Sequence, residues 1–503
     1  MRITRWVSIC CIILAANYAR GQNSDTAVYH ETYRPQLHFS PAAHWMNDPN
    51  GMVYYKHTYH LFFQYYPNGT TWGPMHWGHA VSKDMIHWKQ LPIALYPDSL
   101  GYIFSGSAVV DYNNTSGFGK NGKTPLVAIF THHDPIGEKE GKNNFQNESL
   151  AYSLDDGNNW VKYKGNPVLK NPGIRDFRDP KVMWYAPEHK WVMTLATHDH
   201  ITFFSSRDLK NWVKESEFGK QLGAHGGVWE CPDLFSTKLD GKTYWILIGN
   251  LNPGGPNGGS ATQYFIGQFN GHFFIPIDHQ TRWLDYGPDE YAGITWNNTG
   301  HRKIFLGWMS NWQYAGQVPT VKWRNAMTVP RELNLRRVKG QLFLASEPVK
   351  EINTLTSGSS SPPMLNSRNK FQNIPEQFIL KFNSKTLHNY AITLSNGTGE
   401  ELMLGYDKIK NSYYIDRTKS GKIDFNAEFG KSVFYAPRIS DAKSSTLELV
   451  VDHSSVELFA DKGLTVMTAL FFPRNPYSYL AIASEKQSEI ESLRLYPLKS
   501  IWK

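Results

Sequence analysis

Residues 44–51 read His-Trp-Met-Asn-Asp-Pro-Asn-Gly and stand directly ahead of a strand-like run. Asparagine, proline and glycine favour turns, so the stretch predicts a rigid turn that holds one carboxylate, Asp48, at the rim of a scaffold. The neighbouring amides can donate hydrogen bonds that keep a carboxylate ionised. An ionised and oriented carboxylate is able to act as a nucleophile. An ordinary Asx-type turn is the alternative interpretation of the same residues.

Two further carboxylates stand shortly before prolines, in residues 177–180 (Phe-Arg-Asp-Pro) and 229–233 (Trp-Glu-Cys-Pro-Asp). Backbone before a proline is biased towards extended geometry. The apolar neighbours of Glu230 predict a setting that favours the protonated form, as a general acid requires. An ion pair with Arg178 would instead keep Asp179 charged. A surface ion pair and a capping carboxylate are the purely structural alternatives.

From residue 30 to residue 345, short β-type runs alternate with turns rich in Gly, Asn, Asp and Pro, and helical periodicity is almost absent. Residues 52–55 and 59–66 predict a hairpin around the polar turn between them. Comparable strand-like runs lie at residues 126–131, 190–197 and 243–249. This region is therefore predicted to be an all-β domain.

A short motif recurs within this region, at residues 82–88, 153–160 and 206–212. Each copy contains a Ser/Asp turn and ends in a tryptophan that can pack between sheets. Four-stranded blades with loop insertions produce repeats of this kind, so the motif predicts a β-propeller. Coincidence among common Ser/Asp turns is the alternative.

The chain changes character at residues 346–372, where 357–363 read Ser-Gly-Ser-Ser-Ser-Pro-Pro. That composition is typical of a flexible or polyproline-like connector. Beyond it, residues 373–503 are predicted to form a second domain. Its strand-like runs lie at residues 378–382, 390–394, 445–451 and 455–459. Regular short strands without a helix predict a β-sandwich.

Composition narrows the class of protein. The aromatic content is 14%, with 17 tryptophans, which suits grooves that stack on sugar rings as well as β-rich cores. The formal net charge is +8, but no Lys/Arg run of the kind that marks a nucleic-acid patch is present. A nucleic-acid partner is therefore not expected, and the oligomeric state is left open.

Residues 1–21 have the pattern of a secretory signal peptide, with early arginines, an apolar core at 7–16 and small residues near 19–21. The apolar run is too short to span a bilayer, and no other stretch qualifies. A secreted or periplasmic location after cleavage is expected. Two of the three cysteines lie in this leader, so the mature chain keeps Cys231 alone and has no intrachain disulfide.

The motifs, taken in order, resemble glycoside hydrolase family 32, the family of invertases, inulinases and levanases. The resemblance covers residues 35–500 and implies a five-bladed β-propeller catalytic domain followed by a C-terminal β-sandwich. The matching stretches are residues 45–51 (WMNDPNG), 104–107 (FSGS), 177–180 (FRDP), 229–233 (WECPD), 285–292 (DYGPDEYA), 312–314 (WQY), 329–333 (VPREL) and 452–459 (DHSSVELF).

The resemblance also implies roles for individual residues. Asp48 would be the nucleophile, Glu230 the general acid/base, and Asp179 a third carboxylate that binds sugar hydroxyls and supports the transition state. A retaining enzyme of this kind holds its two reacting carboxyl groups about 5–5.5 Å apart. The fructose pocket would be lined by Asn47, Gln64, Trp72, Phe104, Ser105, Arg178 and Trp312.

No cofactor is implied by the resemblance, and no metal is predicted. The histidines between residues 44 and 79 show no known ligand spacing. One departure from the family pattern is Glu290, which stands where many relatives carry an aromatic residue. Glu290 is therefore expected to reshape the subsites beyond the fructose pocket and to alter substrate preference.

The sequence predicts a secreted, retaining β-fructosidase that acts on levan or inulin and on sucrose, with a preference for chain ends. An endo-acting levanase or inulinase and a fructosyltransferase are alternatives within the family. A non-catalytic fructan-binding protein is the alternative from another class, although the presence of all three acids argues against it. An inverting five-bladed glycosidase would show a wider separation of the two carboxyl groups.

Overall fold

The computed structural model describes residues 28–357 and 371–502. The predicted signal peptide and residues 358–370 of the predicted connector lie outside this part of the chain. The regular secondary structure of the described residues is almost entirely β-strand. No helix among them is long and apolar enough to cross a membrane.

Five sheets built in chain order form the first domain. The first contains β1 (His44–Tyr55), β2 (Thr58–Tyr66), β3 (His76–Ser82) and β4 (Trp88–Leu95). The second contains β5 (Tyr102–Val110), β6 (Leu126–His133), β7 (Gln146–Ser153) and β8 (Val161–Lys162), with a short helix α1 (Pro135–Lys139) between β6 and β7. The third contains β9 (Phe177–Tyr185), β10 (Lys190–Thr197), β11 (Ile201–Ser206) and β12 (Val213–Phe218).

The fourth sheet contains β13 (Val228–Leu239), β14 (Lys242–Asn252), β15 (Ala261–Phe269), β16 (Phe274–Pro276) and β17 (Arg282–Trp283). The fifth follows as β18 (Tyr291–Thr295), β19 (Ile304–Met309), β20 (Trp323–Arg324), β21 (Ala326–Met327), β22 (Arg331–Val338) and β23 (Gln341–Pro348), of which β20 leaves to pair with β1. The expected connector at 346–372 thus overlaps β23 at its start.

These five sheets are the blades of a β-propeller, which confirms the predicted fold. Their first strands, β1, β5, β9, β13 and β18, contact one another in that order around a central axis, and β18 in turn contacts β1. The parallel pairing of β20 with β1 ties a late segment of the domain to the first blade. The ring is therefore closed by main-chain hydrogen bonds as well as by side-chain packing.

The recurring Ser/Asp motif occupies equivalent turns in three blades. It joins β3 to β4, β7 to β8 and β11 to β12. In each copy the serine hydroxyl donates to the aspartate two residues later, as Ser82 does to Asp84 at 3.0 Å. The closing tryptophan packs on a blade core, as Trp212 does. The repeat therefore forms the same turn in three blades, as predicted.

The second domain is a sandwich of two antiparallel sheets. Its strands are β24 (Phe371–Gln372), β25 (Phe378–Ser384), β26 (Tyr390–Ser395), β27 (Glu401–Asp407), β28 (Ser412–Lys419), β29 (Phe434–Pro437), β30 (Ser445–Asp452), β31 (Ser455–Ala460), β32 (Thr465–Leu470), β33 (Tyr479–Ser484) and β34 (Ile490–Pro497). Alternate side chains along β27 and β28 are buried between the sheets, which is the period of two that a half-buried strand requires.

A buried ionic network joins the two domains. Arg331 of the propeller donates to Asp285 at 2.9 Å and to Glu457 of the sandwich at 3.0 Å. The ring of His38 bridges Glu457 at 2.8 Å and Asp452 at 2.7 Å. Each buried charge in this network therefore faces an opposite charge, which offsets the cost of removing it from water.

Candidate active site

Each of the five inner strands carries a β-bulge where it lines the central channel. A bulge leaves residues unpaired and re-aims their side chains. It also tolerates proline, which cannot donate to a ladder. The bulged residues are Asp48 in β1, 104–105 in β5, 179–180 in β9, 231–232 in β13 and 292–293 in β18.

The bulges, rather than loops, present the acids to the channel. Asp48 lies inside β1, so the predicted turn at residues 44–51 is wrong. Asn47 and Pro49 pair with consecutive residues of β2, so Asp48 between them has no partner in the strand pairing. Asp179 and Cys231 take positive φ angles of 67° and 42°. Such backbone costs about 1–3 kcal/mol and persists where the surrounding structure holds it.

Asp48 lies on the floor of the site and is 9% exposed. Its Oδ2 accepts a hydrogen bond from the Ser105 hydroxyl at 3.1 Å, whereas no described residue donates to Oδ1 in good geometry. Burial raises the pKa of Asp48 to about 6, and the charge of Glu230 adds to the rise. The expected stabilisation of the ionised form by hydrogen bonds is present but is outweighed by burial.

Asp179 lies on the other side of the Cys231 thiol. The Cys231 amide donates to Asp179 Oδ2 at 3.0 Å, and the Cys231 Sγ lies 3.7 Å from that oxygen and 3.8 Å from Asp48 Oδ2. Burial raises the pKa of Asp179, and the charge of Arg178 offsets only part of the rise. The expected ion pair is present but long, with 3.9 Å between Arg178 Nε and Asp179 Oδ2, and it does not outweigh burial.

Arg178 is directed instead at two other acids. It donates to Asp176 Oδ1 at 2.7 Å and, through Nε and Nη2, to Glu230 Oε1 at 3.2 and 3.1 Å. The other oxygen of Glu230 accepts a short hydrogen bond from the Tyr291 hydroxyl. The carboxyl group of Glu230 is thus held from both sides.

The predicted apolar setting of Glu230 is wrong. Successive side chains of a strand point to opposite faces, so Trp229 points into the packing between the third and fourth blades while Glu230 points into the channel. There the Glu230 carboxyl group contacts the guanidinium of Arg178 and the phenol of Tyr291. Tyr291 was not singled out by the sequence, since it reaches Glu230 only once the fifth blade lies beside the fourth.

The acids line one cavity at the end of the channel. All ten side chains that the sequence nominated line it, and so do five that it did not: His133, Glu138, Phe145, Gln146 and Asp176. Four of these five, all except Asp176, belong to the segment that leads from the end of β6 through α1 to the start of β7. They carry no motif of their own, and only the packing of the second blade against the third brings them to the cavity.

Aromatic side chains form part of the wall. Trp72 is 44% exposed and meets Phe104 edge to face, with ring centroids 6.1 Å apart. Trp312 stacks on Trp45 with ring centroids 6.0 Å apart. The Trp45 indole donates to Asn47 Oδ1 at 2.7 Å and so fixes that amide. Aromatic rings beside fixed polar groups are suited to the apolar and hydroxylated faces of a sugar.

Glu290 does not line this cavity, so the expectation that it reshapes nearby subsites is wrong. Its side chain is buried within the fifth blade, against Gly293 and Gly307. Burial raises the pKa of Glu290 to about 8, so its carboxyl group is protonated at neutral pH. Among the described residues, no group of three or more His, Cys, Asp or Glu side chains is placed to hold a metal ion.

The arrangement can perform acid/base-assisted nucleophilic chemistry. A buried carboxylate with one oxygen free of hydrogen bonds lies on the floor, and a second carboxyl group, clamped by a guanidinium and a phenol, lies on the wall. Two such groups flanking one bond are what glycoside hydrolysis requires.

Comparison with known proteins gives the same family along nearly the whole chain. The family model described as "Glycosyl hydrolases family 32 N-terminal domain" matches residues 38–346, and "Glycosyl hydrolases family 32 C terminal" matches residues 345–497. The chain is 44% identical over 500 residues to a levanase of Bacillus subtilis, with 95% of this chain and 72% of that protein covered. It is 40% identical to the extracellular exo-inulinase of Aspergillus ficuum, with 96% of each chain covered.

A solved structure is similar over the same extent. The crystal structure of exo-inulinase from Aspergillus awamori superposes with a TM-score of 0.86 at 38% identity. The alignment covers 94% of this chain and all of that one.

Proposed function

The chain belongs to glycoside hydrolase family 32, and we propose that it is a retaining β-fructofuranosidase. Its substrates are fructans such as levan or inulin, together with sucrose, and it releases fructose from chain ends. The observation that carries the proposal is the pair formed by Asp48 on the floor and Glu230 on the wall of one cavity. The similarity to a levanase and to exo-inulinases supports the substrate class.

In the first step Asp48 attacks the anomeric carbon C2 of the terminal fructosyl unit. We assign the attack to Oδ1, which accepts no hydrogen bond of good geometry from the described residues, while Ser105 holds Oδ2. As the Asp48–C2 bond forms, the bond from C2 to the leaving oxygen breaks and Glu230 transfers its proton to that oxygen. The products are a covalent fructosyl-enzyme and a shortened chain with a free hydroxyl.

In the second step Glu230 acts as the base. It removes a proton from water, the water oxygen attacks C2, and Asp48 leaves as a carboxylate. Two inversions at C2 retain the configuration. Arg178 and Tyr291 hold the Glu230 carboxyl group in place through both steps, and that orientation is itself a source of rate acceleration.

Asp179 binds the sugar and takes no part in forming or breaking the bonds at C2. Its carboxyl group is fixed by the Cys231 amide and lies beside Asp48, where it can accept hydrogen bonds from fructose hydroxyls. Asn47, Gln64 and Trp312 complete the proposed fructose pocket. A single cavity enclosed by aromatic walls favours binding of a chain end over binding of a chain interior.

We also propose that the protein acts outside the cytoplasm. The support is the signal-like pattern of residues 1–21 and the word "extracellular" in the name of the Aspergillus ficuum relative.

A time course of products from levan, inulin and sucrose tests the proposal. Fructose as the sole early product, with retained configuration at C2 by NMR, is expected. A ladder of oligosaccharides from the start would indicate interior cleavage, and growth of chains would indicate transfer. Absence of product from all three substrates would contradict the proposal and favour a binding protein.

A further inference from the structure

The segment between β6 and β7 builds one side of the cavity mouth. Asp134 caps helix α1 by accepting from the Ile136 amide at 3.0 Å, and its own amide donates to the Phe145 carbonyl at 2.8 Å. Gly137 is packed so closely that a Cβ there would come within 2.7 Å of the Asp134 carboxylate. The segment is therefore compactly folded, and it presents Glu138 and Phe145 to the cavity.

His133 connects this segment to the fructose pocket. Its ring stacks on Phe104 with centroids 4.2 Å apart and meets Phe145 edge to face at 5.3 Å. Burial lowers the pKa of His133 to about 4, so the ring is neutral at the pH of catalysis. Its Nδ1 is within 3.3 Å of the Gln146 amide nitrogen, a donor. The ring proton then lies on Nε2, which is 3.1 Å from Glu138 Oε2.

Glu138 lies beside two polar side chains and remains accessible. Its Oε2 is 3.1 Å from His133 Nε2, and its Oε1 is 3.7 Å from Arg175 Nη2. The Glu138 side chain is 42% exposed, whereas Asp48 on the floor is 9% exposed. Glu138 therefore lies at the rim of the same cavity in which Asp48 lies at the bottom.

We propose that Glu138, seated on His133 beside Phe145, binds the sugar unit attached to the terminal fructose and so sets the preference for the leaving group. The inference rests on the proposed function, because it takes the fructose unit to occupy the floor. A sugar that follows the fructose outwards meets the rim. An accessible carboxylate at the rim can accept hydrogen bonds from sugar hydroxyls. The positions of those hydroxyls differ between a glucose unit and a fructose unit and between 2,1 and 2,6 linkages.

The test compares Glu138→Ala and Glu138→Gln with Glu140→Ala. Glu140 ends the same helix, is 55% exposed and pairs with Lys142 at 2.7 Å, and it does not line the cavity. The kinetic constants are measured on sucrose and on trisaccharides with 2,1 and 2,6 linkages. Free fructose, which fills only the pocket floor, is measured as a competitive inhibitor of each variant.

The expected result is a fall in kcat/KM of about tenfold in Glu138→Ala, the loss expected for a hydrogen bond to a charged group. The fall should be unequal among the three substrates and smaller in Glu138→Gln, while the inhibition constant of fructose stays unchanged. Equal kinetics in Glu138→Ala and Glu140→Ala, or weaker inhibition by fructose in step with the loss, would overturn the subsite alone. A wild-type protein that hydrolyses no fructoside would overturn the proposed function and the subsite with it.

Discussion

Replacing Tyr291 by phenylalanine tests whether the clamp on Glu230 acts in catalysis. The substitution removes one hydroxyl and leaves the ring, which is 1% exposed in the wall of the channel. It deprives Glu230 Oε2 of its donor, while Arg178 keeps both hydrogen bonds to Oε1. The phenol helps to hold the Glu230 carboxyl group in position for proton transfer. Its loss should therefore lower kcat/KM on sucrose, whose leaving oxygen needs that proton. An activated aryl fructoside, whose leaving group needs no proton, should be affected less.

The size of the loss follows from the hydrogen bond and from the access of water. A hydrogen bond to a charged group contributes about 1.5–3 kcal/mol. The Glu230 side chain is 19% exposed, so water replaces part of what is lost and the lower end applies. About 1.4 kcal/mol corresponds to a tenfold change in rate, so a fall of about tenfold in kcat/KM on sucrose is expected. The assay is kcat/KM on sucrose and on an aryl fructoside, with thermal unfolding measured in parallel.

Tyr264→Phe is the matched control. Tyr264 is equally buried and its hydroxyl also takes part in a hydrogen bond, from the Leu344 amide at 3.0 Å, but it lies away from the cavity. Its kinetic constants should equal those of the wild-type protein. An unchanged kcat/KM on sucrose in Tyr291→Phe, or an equal loss in Tyr264→Phe, would refute the role assigned to the phenol.

Asp48→Ala should lower kcat by a factor on the order of 10⁴ without changing the melting temperature, and turnover near the wild-type rate would exclude Asp48 as the nucleophile. The activity of the wild-type protein should decline as the pH falls through about 6, because Asp48 must be ionised to attack. Glu230→Gln should slow the hydrolysis of sucrose far more than that of an activated aryl fructoside, whose leaving group needs no proton. Equal losses of rate on both substrates would argue against a role of Glu230 as general acid. Burial alone would lower the pKa of His38, but hydrogen bonds to Asp452 and Glu457 raise it to about 9. The stabilisation of the folded protein by charged His38 is therefore complete below pH 6.5 and is lost as the pH rises through 9. His38→Gln should lower the free energy of unfolding by about 3 kcal/mol and abolish that part of the pH dependence in denaturant titrations, and an unchanged pH dependence would show that His38 is not charged in the folded protein.

Local sequence patterns carried much of the fold. The Ser/Asp turn with its closing tryptophan, as at residues 206–212, depends on a hydrogen bond between residues two positions apart. The turn therefore forms wherever this short sequence motif occurs. The alternation along β26, which the sequence predicts at residues 390–394, indicates a half-buried strand for the same local reason. The identity of the three acids came from short motifs around Asp48, Asp179 and Glu230, each of which contains a proline that marks a break in strand pairing.

What surrounds those acids was decided by the tertiary structure. The stretch at residues 44–51 was predicted to be a turn, because proline, glycine and two asparagines are also the residues that a bulge inside a strand tolerates. Whether such residues form a turn or a bulge depends on the neighbouring strand β2, which pairs on both sides of Asp48. A single strand does not carry that information.

The sequence by itself determined the family, the all-β class, the blade turns and the ten side chains that meet in one cavity. Only the closed ring of five blades decided that Tyr291 and Arg178 clamp Glu230, that Glu138 lies at the mouth, and that Glu290 lies away from it. The electrostatics of the site also belongs to this level. Burial raises the pKa of both Asp48 and Asp179 against the expectation from their sequence neighbours. The physical reason is that desolvation and long-range contacts depend on which surfaces are covered, and the chain covers them only when it folds.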